Sequence, residues 1–315
     1  MDALILAKAY LELSAHRPER VHVFDLDNTF VNGQLLFHLI YSVASTLPDR
    51  DKFRLRLDRY VANLHVHQGA IPFMNSLAIA LADENFFVGL EEGRVAALAR
   101  GLAARIKNET NAFPLAVLEA IKHYSGESGR HACSMALSGA PHVVAEPFCG
   151  QHGFCAVFGS AYWARHDNGG VRRYTAERDL DSGLRKGPLV KVTGEFLGVD
   201  WAESVGMGDT LADIDVFKQV GYPVAINPDG KLLAEMRGIE GAGVVFESPK
   251  IGVNLLRVSR GRLIEAELHE ILPRSLARYC PPVDRMRYAY ENDETLDLDI
   301  ERSILLGVVK GASKT

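Results

Sequence analysis

The sequence predicts an α/β fold: a doubly wound, mainly parallel sheet of the Rossmann-like kind with an inserted all-helical cap. Two observations lead to this class. Short apolar segments that favour strands alternate with helical segments, most regularly from about residue 132 onwards. Residues 33–112 instead keep helical spacing without a convincing strand, which is typical of an insertion. In sheets of this kind, ligands bind at the carboxyl ends of the strands.

The first strand is predicted at Val21–Phe24, because this short apolar segment passes directly into the polar turn Asp25–Thr29. A hairpin is predicted over 161–175, since Asn168-Gly169-Gly170 at its centre favours a tight turn. The remaining elements are strands over 132–137, 156–158, 204–207, 222–226 and 243–246, with helices over 115–124 and 142–150 and from about residue 186.

This alternation divides the chain into three parts. Residues 1–32 and 113–247 are predicted to form the core that contains the sheet, and residues 33–112 form the cap inserted after the first strand. Residues 248–315 show no clear alternation, and we expect a C-terminal helical extension of unknown role.

The composition is that of an ordinary globular protein, with 47% hydrophobic and 24% charged residues in a chain of 315. Its 35 Lys and Arg residues against 40 Asp and Glu residues leave a formal net charge of −5, so we expect no nucleic-acid partner. The sequence has no signal-peptide pattern and no apolar run of about 18 residues, so we expect no membrane partner. Four cysteines without a CxxC pair favour free thiols in a cytoplasmic protein, and a pairing of Cys149 with Cys155 stays open. A homodimer is left open.

Polar side chains follow several of the predicted strands. Any one of them is weak evidence, because an Asp or Ser after a strand is often only a turn or a helix cap. Their order within one alternating domain is more specific, since the carboxyl ends of parallel strands meet at one edge of the sheet. The group comprises Asp25, Asp27, Thr29, Ser138, Lys186, Asp209 and Asp213.

These segments resemble the four motifs of the haloacid dehalogenase (HAD) superfamily, whose phosphohydrolases use an aspartate nucleophile. The resemblance covers about residues 20–247, and the inserted helical cap is similar to that of the phosphoserine phosphatase branch. The motifs are specific for the superfamily but not for a substrate. The matching segments are Phe-Asp-Leu-Asp-Asn-Thr at 24–29, Leu-Ser-Gly at 137–139, Lys-Gly at 186–187 and Gly-Asp-Thr-Leu-Ala-Asp at 208–213.

The resemblance implies that Asp25 is the nucleophile and forms an aspartyl-phosphate, which divides one difficult displacement into two easier ones. Asp27 would protonate the leaving group and later deprotonate the attacking water. A Mg²⁺ cofactor would be held by Asp25, Asp209 and the backbone carbonyl of Asp27, with Asp213 binding or orienting it.

The remaining residues of the group would handle the phosphate. The resemblance implies that the Ser138 hydroxyl and the Gly139 N–H bind its oxygens, and that Lys186 neutralises charge on the phosphate and the nucleophile. Thr29 would either contact the phosphate or hold the loop through its own backbone, and both roles stay open.

The expected function is hydrolysis of a phosphomonoester in a small soluble metabolite. Where phosphoserine phosphatases carry a glutamate for the substrate ammonium, this chain has Gln34, which disfavours phosphoserine and makes Gln34 a candidate specificity residue. Two alternatives stay open: transfer to another acceptor, as in a phosphotransferase or mutase, and a non-catalytic protein that binds through its C-terminal extension. Basic cap residues either meet an acidic substrate or solvate a helix; they are Arg54, Arg56, Arg59, His65 and His67.

Overall fold

The computed structural model of the protein describes residues 3–44, 46, 87–128, 131–179, 186–199, 201–248 and 252–286. About half of the predicted cap and residues 287–315 of the C-terminal extension lie outside these ranges. The part of the cap outside them includes Arg54, Arg56, Arg59, His65 and His67. The helical cap therefore stays a prediction for residues 47–86.

Strands of the described residues form one sheet of nine, with the order β4-β3-β2-β1-β5-β6-β7-β8-β9 once they are numbered along the chain. The strands are β1 (Arg20–Phe24), β2 (Ala132–Pro141), β3 (Ala156–His166), β4 (Arg172–Asp179), β5 (Val205–Gly208), β6 (Tyr222–Ile226), β7 (Gly243–Ser248), β8 (Gly252–Ser259) and β9 (Arg262–Glu265). Six neighbouring strands pair in parallel, as the sequence predicts for a doubly wound core; they are β3, β2, β1, β5, β6 and β7.

Helices cover both faces of this sheet. The described helices are α1 (Ala3–His16), α2 (Leu35–Ala44), α3 (Glu92–Arg105), α4 (Ala112–Ser128), α5 (His142–His152), α6 (Lys186–Leu197), α7 (Ile214–Phe217), α8 (Gly230–Met236), α9 (Leu268–Ile271) and α10 (Arg274–Ala277). Short 3₁₀ turns at Trp201–Glu203, Leu211–Asp213 and Val283–Arg285 complete the elements. None of the described helices is long and apolar enough to cross a bilayer.

Side chains of β1 alternate between the two faces of the sheet, and this alternation builds two cores. Val21 and Val23 pack in a cluster that includes Leu13 of α1 and Val190 of α6. Phe24 belongs to the larger cluster on the other face, where its ring meets that of Phe30 at 6.0 Å between centroids. A strand buried on both faces in this way is the usual scaffold at the centre of a parallel sheet.

The predicted hairpin is present, but its first strand is longer than expected. β3 runs without interruption from Ala156 to His166 and pairs antiparallel with β4, so the separately predicted strand over 156–158 is its beginning. The turn is closed by Asp167, whose carboxylate accepts the backbone N–H groups of Gly169 and Val171 at 2.8 and 3.0 Å. The hairpin predicted from Asn168-Gly169-Gly170 is therefore confirmed.

The prediction that the chain after residue 248 is helical is wrong for residues 252–265. These residues form β8 and β9, which extend the sheet by antiparallel pairing beyond β7. Their turn has Arg260 at φ 49° and Gly261 at φ 74°, so both central residues are left-handed, as in a two-residue type I′ hairpin. An Arg-Gly pair announces such a turn less clearly than Asn-Gly does, because Arg rarely adopts positive φ.

His22 ties β1 to β5 from inside the sheet. Its ring is fully buried, and Nδ1 accepts the backbone N–H of Val205 at 3.1 Å. Burial, helped by the positive charge of Arg20, lowers the pKa of His22 to about 3. The ring therefore stays neutral in the folded protein at pH values where it would be protonated in the unfolded chain.

This difference predicts how stability changes with pH. The pKa of His22 is about 3 in the folded protein and about 6.5 in an unfolded chain, so its stabilisation is complete above pH 6.5 and is lost as the pH falls. The loss is about 2 kcal/mol at pH 5. In urea unfolding, the stability advantage of the wild type over His22→Asn should shrink by that amount between pH 8 and pH 5. An advantage that is equal at both pH values would contradict the buried neutral ring.

Candidate active site

The carboxylates predicted from the sequence lie at the carboxyl edge of the sheet, where β1 and β5 end side by side. Asp25 directly follows β1, and its N–H donates to the carbonyl of Met207 in β5 at 2.9 Å. Asp209 is the first residue after β5. Because β1 and β5 are parallel neighbours, both carboxylates emerge at the same edge.

The turn after β1 carries Asp27 and Thr29. It is closed by backbone hydrogen bonds to the carbonyl of Leu26, and Asn28 adopts φ 57°, a left-handed conformation that asparagine tolerates. The Asp27 carboxylate accepts the N–H of Leu35, the first residue of α2, at 2.8 Å. A carboxylate at this position is stabilised by the amino end of the helix, which fixes Asp27 at the mouth of the site.

Lys186, the first residue of α6, forms the central ion pairs of the site. Its Nζ lies 2.8 Å from Oδ1 of Asp25 and 2.6 Å from Oδ1 of Asp213. All three side chains are buried. Burial lowers the pKa of Lys186, but the charges and hydrogen bonds of Asp213 and Asp25 outweigh this effect and raise it above its usual value. The ammonium group is therefore firmly charged.

Asp213 is held from both sides. Its Oδ1 accepts from Lys186, and its Oδ2 accepts the N–H and the hydroxyl of Thr210 at 3.2 and 3.3 Å. A side chain on Gly208 would collide with this carboxylate, since a Cβ there would lie 2.2 Å from Cγ of Asp213. Asp213, itself held by Thr210, therefore holds the Lys186 ammonium in position.

Thr29 contacts the site through its side chain. The hydroxyl donates to Oδ1 of Asp209 at 3.3 Å, and Thr29 is fully buried. Of the two roles left open by the sequence, this contact favours the one in which Thr29 holds the turn after β1, here against Asp209 rather than through its own backbone.

The electrostatics of the site leave an excess of negative charge. Carboxylate oxygens of Asp25, Asp209 and Asp213 lie within 4.8 Å of one another, and Lys186 is the ammonium that faces them in the described residues. Burial first, and the charges of neighbouring carboxylates second, raise the pKa of Asp27 to about 7 and that of Asp209 well above its usual range. Burial also raises the pKa of Asp25 to about 6, against the opposing charge of Lys186.

A hard divalent cation fits these residues. The cluster offers several buried oxygen donors, which is the ligand type that Mg²⁺ prefers, and its uncompensated charge would be neutralised by such an ion. Asp25 and Asp209 are suited to hold it, together with the backbone carbonyl of Asp27. Asp213 is suited to orient the site, because both of its oxygens already have partners.

Ser138 and Gly139 lie inside β2, which continues to Pro141 instead of ending at residue 137 as predicted. The pairing of β2 with β3 is irregular between Leu137 and Pro141, so the backbone here departs from a regular strand. Because Phe24 pairs with Ala136, Ser138 lies beside the first residues that follow β1. Ser138 is buried and its Oγ accepts the N–H of Ala140 at 3.1 Å, whereas Gly139 is exposed.

Two further residues complete the surroundings. Gln34 is buried immediately before Leu35, the residue whose N–H contacts Asp27. Asn111, which the sequence reasoning missed, donates its side-chain amide to the carbonyls of Asn28 and Thr29 at 3.0 and 2.8 Å. Asn111 thus supports the turn after β1 from a distant part of the chain. An asparagine before a predicted helix gives no sequence signal for such a contact.

The model of the haloacid dehalogenase-like hydrolase family matches residues 22–218, which is more than half of the chain and includes each of the predicted site residues. The protein therefore belongs to the haloacid dehalogenase-like hydrolases, and the predicted superfamily is confirmed. The roles assigned to individual residues stay predictions.

Solved structures with a similar fold were also found. One is a HAD family hydrolase from Salmonella enterica subsp. enterica serovar Typhi, with 12% identity and a TM-score of 0.45; the match covers 68% of this chain and 64% of that one. Another is a protein with unknown function from Bordetella pertussis Tohama I, with 18% identity and a TM-score of 0.49; the match covers 70% of this chain and 96% of that one.

A third is a probable phosphoserine phosphatase from Vibrio cholerae, with 13% identity and a TM-score of 0.43; the match covers 86% of this chain and 73% of that one. This chain thus spans slightly less than two thirds of the length of the Salmonella hydrolase. No curated protein matches it.

The ion pairs of Lys186 predict a pH-dependent stability change. Lys186→Met should reduce the free energy of unfolding by about 3 kcal/mol at pH 8 without divalent cations, because it leaves buried carboxylates without a counter-charge. The loss should be smaller at pH 5, since Asp25, with a pKa of about 6, then binds a proton. Urea unfolding measures both values.

Lys191→Met is the matched control, because it makes the same change at an exposed position of α6. It should leave stability within about 0.5 kcal/mol of the wild type. A loss for Lys186→Met that is no larger than this, or that is equal at the two pH values, would argue against the buried ion pairs.

Proposed function

We propose that the protein is a Mg²⁺-dependent phosphomonoester hydrolase that acts on a small soluble phosphorylated metabolite. The observation that carries this proposal is the buried contact of Lys186 with Asp25, next to Asp209 at the end of the neighbouring strand. Asp25, the Lys186 ammonium and the carboxylate oxygens lie at one edge of the sheet, which supports Asp25 as the nucleophile, Lys186 as a fixed cation and the oxygens as metal donors. Phosphoryl transfer through an aspartyl-phosphate uses these three elements.

The first step uses Asp25 as the nucleophile. A carboxylate oxygen of Asp25 attacks the phosphorus atom, the bond between phosphorus and the ester oxygen breaks, and an aspartyl-phosphate forms. Lys186, held 2.8 Å from Oδ1 of Asp25, offsets the repulsion between the carboxylate and the phosphate. Because Asp213 fixes Lys186, this charge needs no rearrangement during the reaction.

Asp27 handles the proton. Its pKa is raised to about 7 by burial and by the charge of Asp25, so a substantial fraction carries a proton near neutral pH and can donate it to the leaving oxygen. A water molecule then attacks the phosphorus of the aspartyl-phosphate and gives a proton to Asp27. The bond from phosphorus to Asp25 breaks, and inorganic phosphate leaves with both aspartates in their starting states.

Asp25, Asp209 and the carbonyl of Asp27 would hold a Mg²⁺ ion, with Asp213 orienting the site from behind. Bound there, the ion would neutralise negative charge on the phosphate oxygens and the carboxylates. The Ser138 hydroxyl and the Gly139 N–H are the candidate donors to the same phosphate oxygens. Thr29 holds the turn that carries Asp27 against Asp209.

The test is phosphate release by the purified protein across a panel of phosphomonoesters with and without Mg²⁺. We expect turnover that requires the ion, and Asp25→Asn should lower kcat by roughly a thousandfold or more, because the amide cannot attack phosphorus. Asp284→Asn, at an exposed position distant in sequence, should keep the wild-type rate. Absence of Mg²⁺-dependent release from the folded protein, or an active Asp25→Asn variant, would refute the proposal.

Product analysis distinguishes hydrolysis from transfer to another acceptor. With a hydrolase, the inorganic phosphate released equals the substrate consumed even when alcohols or sugars are added. A phosphotransferase or mutase would instead yield a phosphorylated acceptor at the expense of phosphate, through the same Asp25 chemistry. We propose water as the acceptor, which Asp27 would deprotonate.

Gln34 provides a test of substrate charge. A neutral amide buried beside the mouth of the site does not pair with an ammonium group as a carboxylate does. Gln34→Glu should therefore raise kcat/KM for O-phosphoserine relative to 3-phosphoglycerate, which carries a hydroxyl in place of the ammonium, by about tenfold. An unchanged ratio of the two kcat/KM values would show that Gln34 does not meet this part of the substrate.

A further inference from the structure

A second group of potential ligands lies at the opposite edge of the sheet from the carboxylates. It consists of His16, the last residue of α1, Cys133, near the start of β2, and Cys155, just before β3. Residues 133 to 138 of β2 span roughly 16 Å at the usual rise per residue of a strand. This group is therefore well separated from Ser138 and the candidate active site, and it has no part in the proposed reaction.

The three side chains converge although they come from three elements. A ring nitrogen of His16 and the sulfur atoms of Cys133 and Cys155 all lie within 4.8 Å of one another. A backbone hydrogen bond holds Cys155 next to β2, because its N–H donates to the carbonyl of Ser134, the residue after Cys133, at 2.9 Å. Cys133 is buried, Cys155 is half-buried and His16 is exposed, so the group runs from the interior to the surface.

This set of atoms is one that binds soft or borderline metal ions. Two thiolates and one imidazole form three of the four ligands of many tetrahedral zinc sites. Ligand atoms around one zinc ion lie roughly 3.4 to 3.8 Å apart, given Zn–S and Zn–N bonds of about 2.3 and 2.1 Å. A separation of at most 4.8 Å therefore needs only a small closing movement of the side chains.

An open cavity gives access to the group. His16 and Cys155 line a cavity of about 350 Å³ between α1 and α5, and Lys8, Glu12 and Glu146 also line it. Lys8 pairs with Glu146 and lies 3.8 Å from Glu12, so two carboxylates share one ammonium. The remaining negative charge favours entry of a cation, and the cavity leaves space for a water molecule as a fourth ligand.

We propose that His16, Cys133 and Cys155 form a second metal site, which takes Zn²⁺ or a similar thiophilic ion. Binding replaces the proton of each thiol by a bond to the metal, so two protons are released for each Zn²⁺ bound and no electron is transferred. Because His16 ends α1, Cys133 lies in β2 and Cys155 directly precedes β3, the ion links this helix to one edge of the sheet. The site is independent of the proposed phosphatase activity.

Cobalt substitution tests the site directly. The untagged, fully reduced protein is titrated with Co²⁺ in excess Mg²⁺, which occupies carboxylate sites. One equivalent should produce a sulfur-to-metal charge-transfer band, which oxygen ligands do not give, and Zn²⁺ should displace it. A Zn²⁺ titration in weak buffer should release about two protons per ion, as expected for two thiols that become ligands. A wild-type protein without the charge-transfer band would overturn the proposal.

Variants identify the ligands. Cys155→Ser and His16→Ala should each weaken Co²⁺ binding at least about a hundredfold, as loss of a ligand requires. Cys280→Ser, which changes a cysteine elsewhere in the fold, should bind as the wild type does. Circular dichroism and thermal unfolding without metal establish that each variant folds. Cys133→Ser alters the buried core, so Cys155→Ser and His16→Ala carry the test if it does not fold.

The competing outcome is a disulfide between the two neighbouring thiols. Thiol titration of the denatured protein after purification in air counts reduced cysteines, and four would agree with the proposal. The metal site would be refuted by two results together: two thiols are unreactive until reductant is added, and the reduced protein gives no charge-transfer band with Co²⁺. The pair would then be assigned to redox chemistry. A charge-transfer band that persists in Cys155→Ser would refute the assignment of these ligands.

Discussion

The site depends on a buried ammonium group that two carboxylates hold in place. Lys186 lies between Asp25 and Asp213, and removing one partner of such a buried ion pair is strongly destabilising because it leaves a buried charge uncompensated. Each comes from a different element: the end of β1, the start of α6 and the turn after β5. Formation of the ion pairs therefore requires the sheet and α6 to be in place, and it couples the fold to the candidate site.

The same constraint explains details that look unrelated to the site. Gly208 must lack a side chain because Asp213 folds back over it, and Thr210 fixes the second oxygen of that carboxylate. Asn111 crosses from the segment before α4 to hold the turn after β1. The contact of Thr210 restrains the carboxylate of Asp213, and the contacts of Asn111 restrain the turn that carries Asp27. Displacing a charged group in a medium of low polarity is costly.

Much of this architecture could be predicted from the sequence, because the signals are local. The strand before Asp25 and the turn at Gly169 are set by residues within a few positions of one another. The pairing of Lys186 with Asp213, the support from Asn111 and the β8–β9 hairpin could not be predicted in the same way. The first two depend on how distant elements pack. The hairpin turn places Arg260 at positive φ, which is uncommon for arginine and so cannot be predicted from the residue type.

That hairpin has a consequence for solubility. β7 continues the parallel sheet, and without β8 it would be a terminal strand of buried, mostly apolar residues with unsatisfied backbone groups along one side. Antiparallel pairing moves the end of the sheet to β9, which is short, largely exposed and bounded by Arg262 and Glu265. Short charged edges of this kind discourage strand addition from other molecules. Residues 252–265 thus shield the sheet from self-association.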